Sequence, residues 1–373
     1  MPLHGEILTQ LRDLALTMSR TPAPETVDLL TRTIWGTPGG TRYKHLDTPE
    51  KIRELQDAFF LELWKAEQML GTLAFVHRTS PLPARDLHTF YIRYFAMREN
   101  LQRKIDTRSQ GNSTGVRSNS IMKRAAKRLL DRPEPFLKAT GSDHAVFYAY
   151  VELENERSMN MVRMMGFEPV GKFSTLVFSR YSPRADKAVH RARPEDQSAV
   201  LAHLTAQYAG HAFYSPQNIF FRNQYFVLEE NGEIVAGLQA NPTHWVMEGM
   251  PGCSGQIIMH VVPHLPFISR LFHPRKFHFL AVEGMFCPEG REDLLYRLLG
   301  HACEAMGMNA ALMWLDTRDG LLKRMRSAGR LGLMQRINSD TRVDIVVKWS
   351  GLSAAEVAQL KARPVYISAF DVT

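Results

Sequence analysis

The groups best suited to moving a proton lie close together in the middle of the chain. Tyr148 and Tyr150 alternate along the apolar run 145–151, and Glu152 and Glu154 follow at its end. Alternation on a strand puts the two phenols on one face, where they can line an acceptor groove or fill core. Tyr150 and Glu152 are the first choices for donating and accepting a proton; Tyr91, Tyr94 and Glu99 offer the same chemistry from an earlier segment. A second feature precedes them. The run Gly111-Asn112-Ser113-Thr114-Gly115-Val116-Arg117-Ser118 is small and polar, with Arg108 just upstream, and stands ahead of an amphipathic segment at 119–130. Backbone amides at a helix N-terminus, uncrowded by side chains, can hold an anion, and Arg108 and Arg117 add charge there.

The local pattern says which elements position these groups. The run 145–151 is β-branched and aromatic and of strand length. Asn155 is placed to cap the next helix, in which Met159, Val162 and Met165 fall at helical spacing, and Gly166 can end it in the left-handed conformation. Residues 167–170 and 175–179 read as two strands turning at Gly171.

Asn155, Ser158, Met161, Val162 and Gly166-Phe167 together resemble the late motif of the GNAT-superfamily acyl-CoA N-acyltransferases. That motif has Asn, a small residue three later, an aliphatic and usually a Tyr six and seven later, and Gly-Phe at eleven and twelve. Every spacing matches, but Val162 stands where many members carry a Tyr that acts as general acid. The resemblance implies an α+β fold, each unit a mixed and mostly antiparallel sheet flanked by helices. It implies acetyl-CoA or another acyl-CoA as co-substrate, and direct attack by an amine acceptor in a ternary complex. The coenzyme would lie against the strand at 89–97, its pantetheine meeting the main chain of Phe95, Ala96 and Met97. Its pyrophosphate would sit on Gly111, Asn112, Thr114, Gly115, Val116, Arg117 and Ser118, beside Asn155 and Ser158. In one frame Arg117 replaces the second glycine of the family's Gly-aliphatic-Gly-small run; the alternative frame, Arg108-x-x-Gly111-x-Ser113, keeps the family's basic first position.

The order of elements occurs twice. In the first half a helix is expected at 7–14, then a strand at 15–19, a helix at 25–33, a hairpin at 59–77 and the strand at 89–97. After the linker 182–187 the series restarts, with a helix at 197–208 and a hairpin turning at Asn231-Gly232. A strand at 277–285, a helix at 294–306, a strand at 310–315, a helix at 320–327 and a strand at 342–348 follow. We therefore expect a tandem of two GNAT-like domains, 1–183 and 188–373, the first holding the coenzyme. Residues 242–274, rich in Pro, Gly and His, interrupt the second as an inserted β-arm, suited to a covering flap or a subunit contact such as a homodimer.

The second half offers less chemistry. Its equivalent loop, 286–293, has one Gly and carries Glu289, Glu292 and Asp293 where an anion should bind. Asp319 stands as the counterpart of Asn155. Cys287 reads as an incidental thiol, and the five histidines from His244 to His278 are irregularly spaced for a metal.

Composition bounds the rest. The chain has 373 residues, 45% of them hydrophobic and 23% charged, which fits a globular protein of two domains. No apolar run has the length of a membrane span, so no membrane partner is expected. The N-terminal segment lacks a signal-like apolar stretch and the three cysteines are sparse, so a cytoplasmic setting is expected. A net charge of +8 admits nucleic acid, an anionic surface or an anionic coenzyme. Two alternatives to an N-acetyltransferase stay open: a non-catalytic sensing or assembly protein, and an aminoacyl-tRNA-dependent transferase.

Overall fold

The computed structural model describes residues 5–11, 13–36, 40–55, 57–82, 85–98, 117–337 and 342–372. The first half begins with β1 (Glu6–Leu11), β2 (Leu14–Ser19), α1 (Pro24–Arg32), β3 (Trp35–Gly36), β4 (Arg42–His45) and α2 (Thr48–Glu54). Then come β5 (Ala58–Lys65), β6 (Gln68–Ser80), β7 (Leu87–Met97), α3 (Arg117–Asp131) and α4 (Glu134–Thr140). The unit β8 (Ala145–Glu152), α5 (Glu156–Met164) and β9 (Glu168–Ser179) closes it. The second half holds β10 (Val189–Arg191), α6 (Gln197–Tyr208), β11 (Tyr225–Glu230), β12 (Glu233–Gly249), α7 (Gly252–His260) and α8 (Ile268–Leu271). It continues with β13 (Phe277–Phe286), α9 (Glu292–Ala305), β14 (Ala310–Asp316), α10 (Gly320–Ser327) and α11 (Leu333–Ile337). β15 (Arg342–Ser350), α12 (Ala354–Ala362) and α13 (Ala369–Val372) end it.

All the strands belong to one sheet, whose main path runs β1-β2-β5-β6-β7-β8-β15-β9-β14-β13-β12-β11-β10. Among the described strands β7–β8 and β13–β14 pair in parallel and the other pairs are antiparallel, with an isolated parallel bridge between Ala212 and Val365. The halves are interleaved rather than abutted. β15, late in the second half, lies between β8 and β9, with Ile345 opposite both Tyr150 and Gly171. β9 in turn pairs with β15 along its first part and with β14 along its second. A side-chain contact reinforces the exchange: Lys348 on β15 donates to the Met165 carbonyl at the end of α5, 2.8 Å away.

Local chemistry explains most element ends. Asn155 caps α5, its Oδ1 accepting from the Ser158 amide at 3.0 Å, and Gly166 follows with φ 87°. Asn231 and Gly232 turn the β11–β12 hairpin with φ of 56° and 82°. On one face of the first-half sheet Phe136 of α4 is fully buried among Phe59, Phe75, Phe90 and Phe147.

Three expectations are corrected. Residues 7–14 form no helix; they make the β1–β2 hairpin, because Leu14 onward needs a partner for its outer edge. Gly171 is no turn. β9 runs through it, and the glycine is needed because a Cβ there would come within 2.7 Å of the Arg318 guanidinium, which lies across the strand against Asp316. The insertion at 242–274 is no β-arm. β12 extends to Gly249, pairing with β4, and the rest folds into α7, α8 and 3₁₀ turns.

Because β15 is central to the shared sheet, truncating its buried Ile345 to Ala should cost about 2–5 kcal/mol. Urea unfolding followed by circular dichroism and tryptophan fluorescence should show one coincident transition shifted to lower denaturant. Separate transitions for the two probes would mean the halves are not coupled through this strand.

Candidate active site

β7 and β8 hold together only briefly. Thr89, Phe90 and Tyr91 pair with Val146, Phe147 and Tyr148, and beyond that point no pairing joins them. β7 then bulges, the register with β6 shifting between Thr72 and Ala74. The bulge puts the buried Tyr94 at φ 58°, a region costly for an aromatic residue, with the Arg93 guanidinium 4.3 Å above its ring. Past the bulge Phe95, Ala96 and Met97 continue along β6, and their other backbone edge faces the gap between the diverging strands. β13 and β14 repeat the arrangement. They pair in parallel at 280–282 and 311–313, and β13 bulges at Gly284, φ 56°. Glycine takes this conformation without strain, so the first half alone holds strained backbone at its bulge.

One face of the first-half sheet is polar. Tyr91 on β7 and Tyr148 and Tyr150 on β8 converge with Arg78 of β6 on α13. Asp371 Oδ2 accepts from Arg78 Nη1 at 2.7 Å, from the Tyr148 hydroxyl at 3.0 Å and from the Tyr150 hydroxyl at 3.3 Å. The Tyr91 hydroxyl donates to the Asp371 carbonyl at 2.8 Å, and Arg93 to that of Phe370. Burial, with Asp371 adding to it, pushes the Tyr148 and Tyr150 phenols well above their usual range, so both stay protonated donors. Glu152 follows on the same face, half-buried, and raises the phenol of Tyr43 on β4, for which burial is the larger cause.

A small cleft of about 30 Å³ opens beside this cluster, its lining including Lys51, Glu54, His77, Arg78, Arg93 and Phe370, with Gln217 and Asn218 from the second half. It draws on both halves. Burial lowers the Lys51 amine to about 8, against the opposing pull of Asp47 3.1 Å away.

The second-half gap is arranged differently. Val365, Tyr366 and Ile367 lie in it, lining one cavity with Glu283, Gly284 and Trp314. The Val365 amide donates to Asp316 at 2.9 Å and the Tyr366 amide to the Ala212 carbonyl at 2.9 Å. Glu283 is fully buried there, accepting from the Ala369 amide at 3.1 Å and the Tyr366 hydroxyl at 3.3 Å. Burial, foremost, pushes its carboxyl up to about 7. At the start of α9 the Glu292 carboxylate accepts from the Gly290 amide at 3.3 Å and is held by Arg324. The chain's own carboxylate thus sits where that helix would meet an anion. Cys287 is pushed up to about 12 by burial and is a poor nucleophile.

Tyr150 is drawn into the tyrosine cluster, and Glu152 lies at its edge. Asn155 and Ser158 bond to each other at the start of α5. Arg117 and Ser118 open α3, two residues earlier than the pattern at 119–130 suggests. Gly111, Asn112, Thr114, Gly115 and Val116, with Glu99 and Arg108, lie outside the described residues. Val162 is buried in the hydrophobic core of the first half, among Phe147, Val151 and Phe167. Arg78, Glu283 and Asp371 were missed. Their partners are remote in sequence, 293 positions for Arg78 and Asp371, and no local pattern marks such a pair.

No family model and no curated protein matches the chain by sequence. Solved structures do match by fold. N-myristoyltransferase from Saccharomyces cerevisiae with bound myristoyl-CoA aligns over 97% of this chain and 90% of its own, with TM-score 0.57 and 9% identity. A second structure of the yeast enzyme with myristoyl-CoA covers 97% and 86%, with TM-score 0.55 and 9% identity. A GCN5-related N-acetyltransferase from Sphaerobacter thermophilus covers 91% and 97%, with TM-score 0.48 and 10% identity. The likeness is one of fold: nearly the whole chain is arranged as in N-myristoyltransferase.

Glu283 gives this region a pH signature. Its folded carboxyl keeps its proton up to about 7, whereas the unfolded one loses it near 4.5. In that window the folded state binds more protons, so the contribution of Glu283 to stability falls as pH rises. Denaturation from pH 5 to 7.5 should show Glu283→Gln gaining on the wild type as pH rises; parallel profiles would place the titration elsewhere.

Proposed function

We propose that the protein is an acyl-CoA-dependent N-acyltransferase, with the first half holding the coenzyme and an amine attacking the thioester directly. Acetyl is the acyl group we assign first. The observation that carries the reading is the β7–β8 gap. A strained bulge at Tyr94 opens it, its β7 backbone edge faces the space between the strands, and the helix α3 follows it in the chain. The likeness to yeast N-myristoyltransferase with bound myristoyl-CoA supports the ligand class.

In this reading the main chain of Phe95, Ala96 and Met97 hydrogen-bonds the pantetheine amides. The α3 N-terminus, with Arg117 and Ser118 in its first turn and residues 111–116 before it, holds the pyrophosphate. Asn155 and Ser158 fix the start of α5 beside it. The amine nitrogen forms its bond to the thioester carbonyl carbon, the carbon–sulfur bond breaks, and the thiolate takes up a proton. Glu152 is assigned as the base that relieves the amine of its proton, and the Tyr150 phenol as the donor near the leaving sulfur. Val162 supplies no acid, so positioning of amine against thioester must carry much of the rate. The self-filled second-half gap and the Glu292 carboxylate at α9 support a structural or acceptor-shaping role for that half.

Isothermal titration with acetyl-CoA and longer acyl-CoAs tests the proposal. We expect micromolar binding, weakened about tenfold or more by Ser118→Glu, which puts a carboxylate in the first turn of α3. Absence of binding to every acyl-CoA would end the enzyme reading in favour of a non-catalytic protein. A steeply salt-dependent affinity for tRNA would favour the aminoacyl-tRNA-dependent alternative.

A further inference from the structure

The helical insertion after β12 exposes apolar side chains that, among the described residues, nothing covers. Ile257 is 57% exposed, Val261 46%, Leu265 40% and Phe267 75%. Ile257 and Val261 are one helical turn apart, joined by the Val261 amide donating to the Ile257 carbonyl at 2.8 Å. Leu265 and Phe267 follow in a stretch broken by Pro263 and Pro266, so the four stand in succession along one short surface segment. Single exposed apolar residues are ordinary; four within eleven positions, one of them a phenylalanine three-quarters exposed, are not.

The charge of the same segment says what could cover them. From Gly249 to Val282 there is no Asp or Glu, while Arg270, Arg275 and Lys276 are exposed and, among the described residues, unpaired with any carboxylate. His260 and His264 lie exposed between the apolar anchors. A second copy of this chain docking through the patch would bring two acid-free, basic surfaces together, and their charges would repel. An anionic lipid surface matches both properties. Its headgroups attract the Arg and Lys side chains, and its acyl boundary takes in short helices bearing Phe, Leu and Ile. Among the described residues no helix is long and apolar enough to cross a membrane, so the contact would be peripheral.

We propose that the α7–α8 insertion is an interfacial anchor that seats the protein on anionic bilayers through Ile257, Val261, Leu265 and Phe267. It is independent of the acyl-transfer reading. The attraction is reversible and depends on salt, because the basic residues act through a screened field.

Co-sedimentation of the full chain with phosphatidylcholine vesicles, with and without phosphatidylglycerol, tests this. The wild type should partition onto the anionic vesicles and be released by added salt. Ile257→Ser combined with Phe267→Ser should weaken that partitioning at least about tenfold. Both positions are exposed, so the melting temperature should stay unchanged. Arg275→Ser combined with Lys276→Ser should abolish the preference for phosphatidylglycerol. The proposal is overturned if the wild type stays in the supernatant, or if the Ile257/Phe267 variant binds as well as the wild type. It is equally overturned if the wild type is a dimer that this variant converts to monomer, since the patch would then cover a second copy.

Discussion

The placement of β15 between β8 and β9 is the constraint on which the rest of the structure depends. Backbone amides and carbonyls inside a sheet must find partners, and β8 and β9 are too far apart to serve each other. A strand from the far end of the chain fills that place and completes the first half. By the same exchange β9 reaches β14 and completes the second. The two units therefore cannot be arranged independently. Their shared sheet brings α13 against the polar face of the first half, where Asp371 gathers Arg78, Tyr148 and Tyr150.

That buried cluster is expensive to assemble and restrictive once made. Removing water from Arg78 and Asp371 is compensated by direct ion pairing and two phenolic hydrogen bonds, and breaking one partner would leave a buried charge uncovered. The cluster lies beside the β7–β8 gap and forms one wall of the cleft between the halves. The gap itself coincides with the bulge: after three residue pairs β7 shifts register against β6 and its pairing with β8 ends. The second half meets the same geometry with a glycine and lays its own residues 365–367 in the gap. Among the described residues, the two halves thus treat similar strand gaps differently: pairing between β7 and β8 ends early, and residues 365–367 line the gap of the second half.

Features set within a few residues were legible in the sequence. The Asn155 cap, the Gly166 terminator and the Asn231-Gly232 hairpin follow from backbone chemistry that neighbours decide, and each is found. The alternation of Tyr148 and Tyr150 gave their common face. Features set by distant partners were not legible. Residues 7–14 have helical spacing, yet pairing with β2 overrides it. Gly171 suggested a turn because nothing nearby reveals the Arg318 side chain that excludes a Cβ. Asp371 has no sequence mark at all, since its role arises only when α13 is brought onto β6 and β8. The insertion was misjudged because its apolar pieces are too short to separate strand from helix by period.

In the proposed function the first-half gap, and not the second, is the coenzyme site. Hydrogen–deuterium exchange with and without saturating acyl-CoA tests it most directly. Bound coenzyme should slow exchange at the amides of residues 92–98 and in the first turn of α3 and leave the amides of β13 unchanged. Protection confined to β13 and the start of α9, or no protection at 92–98, would contradict it.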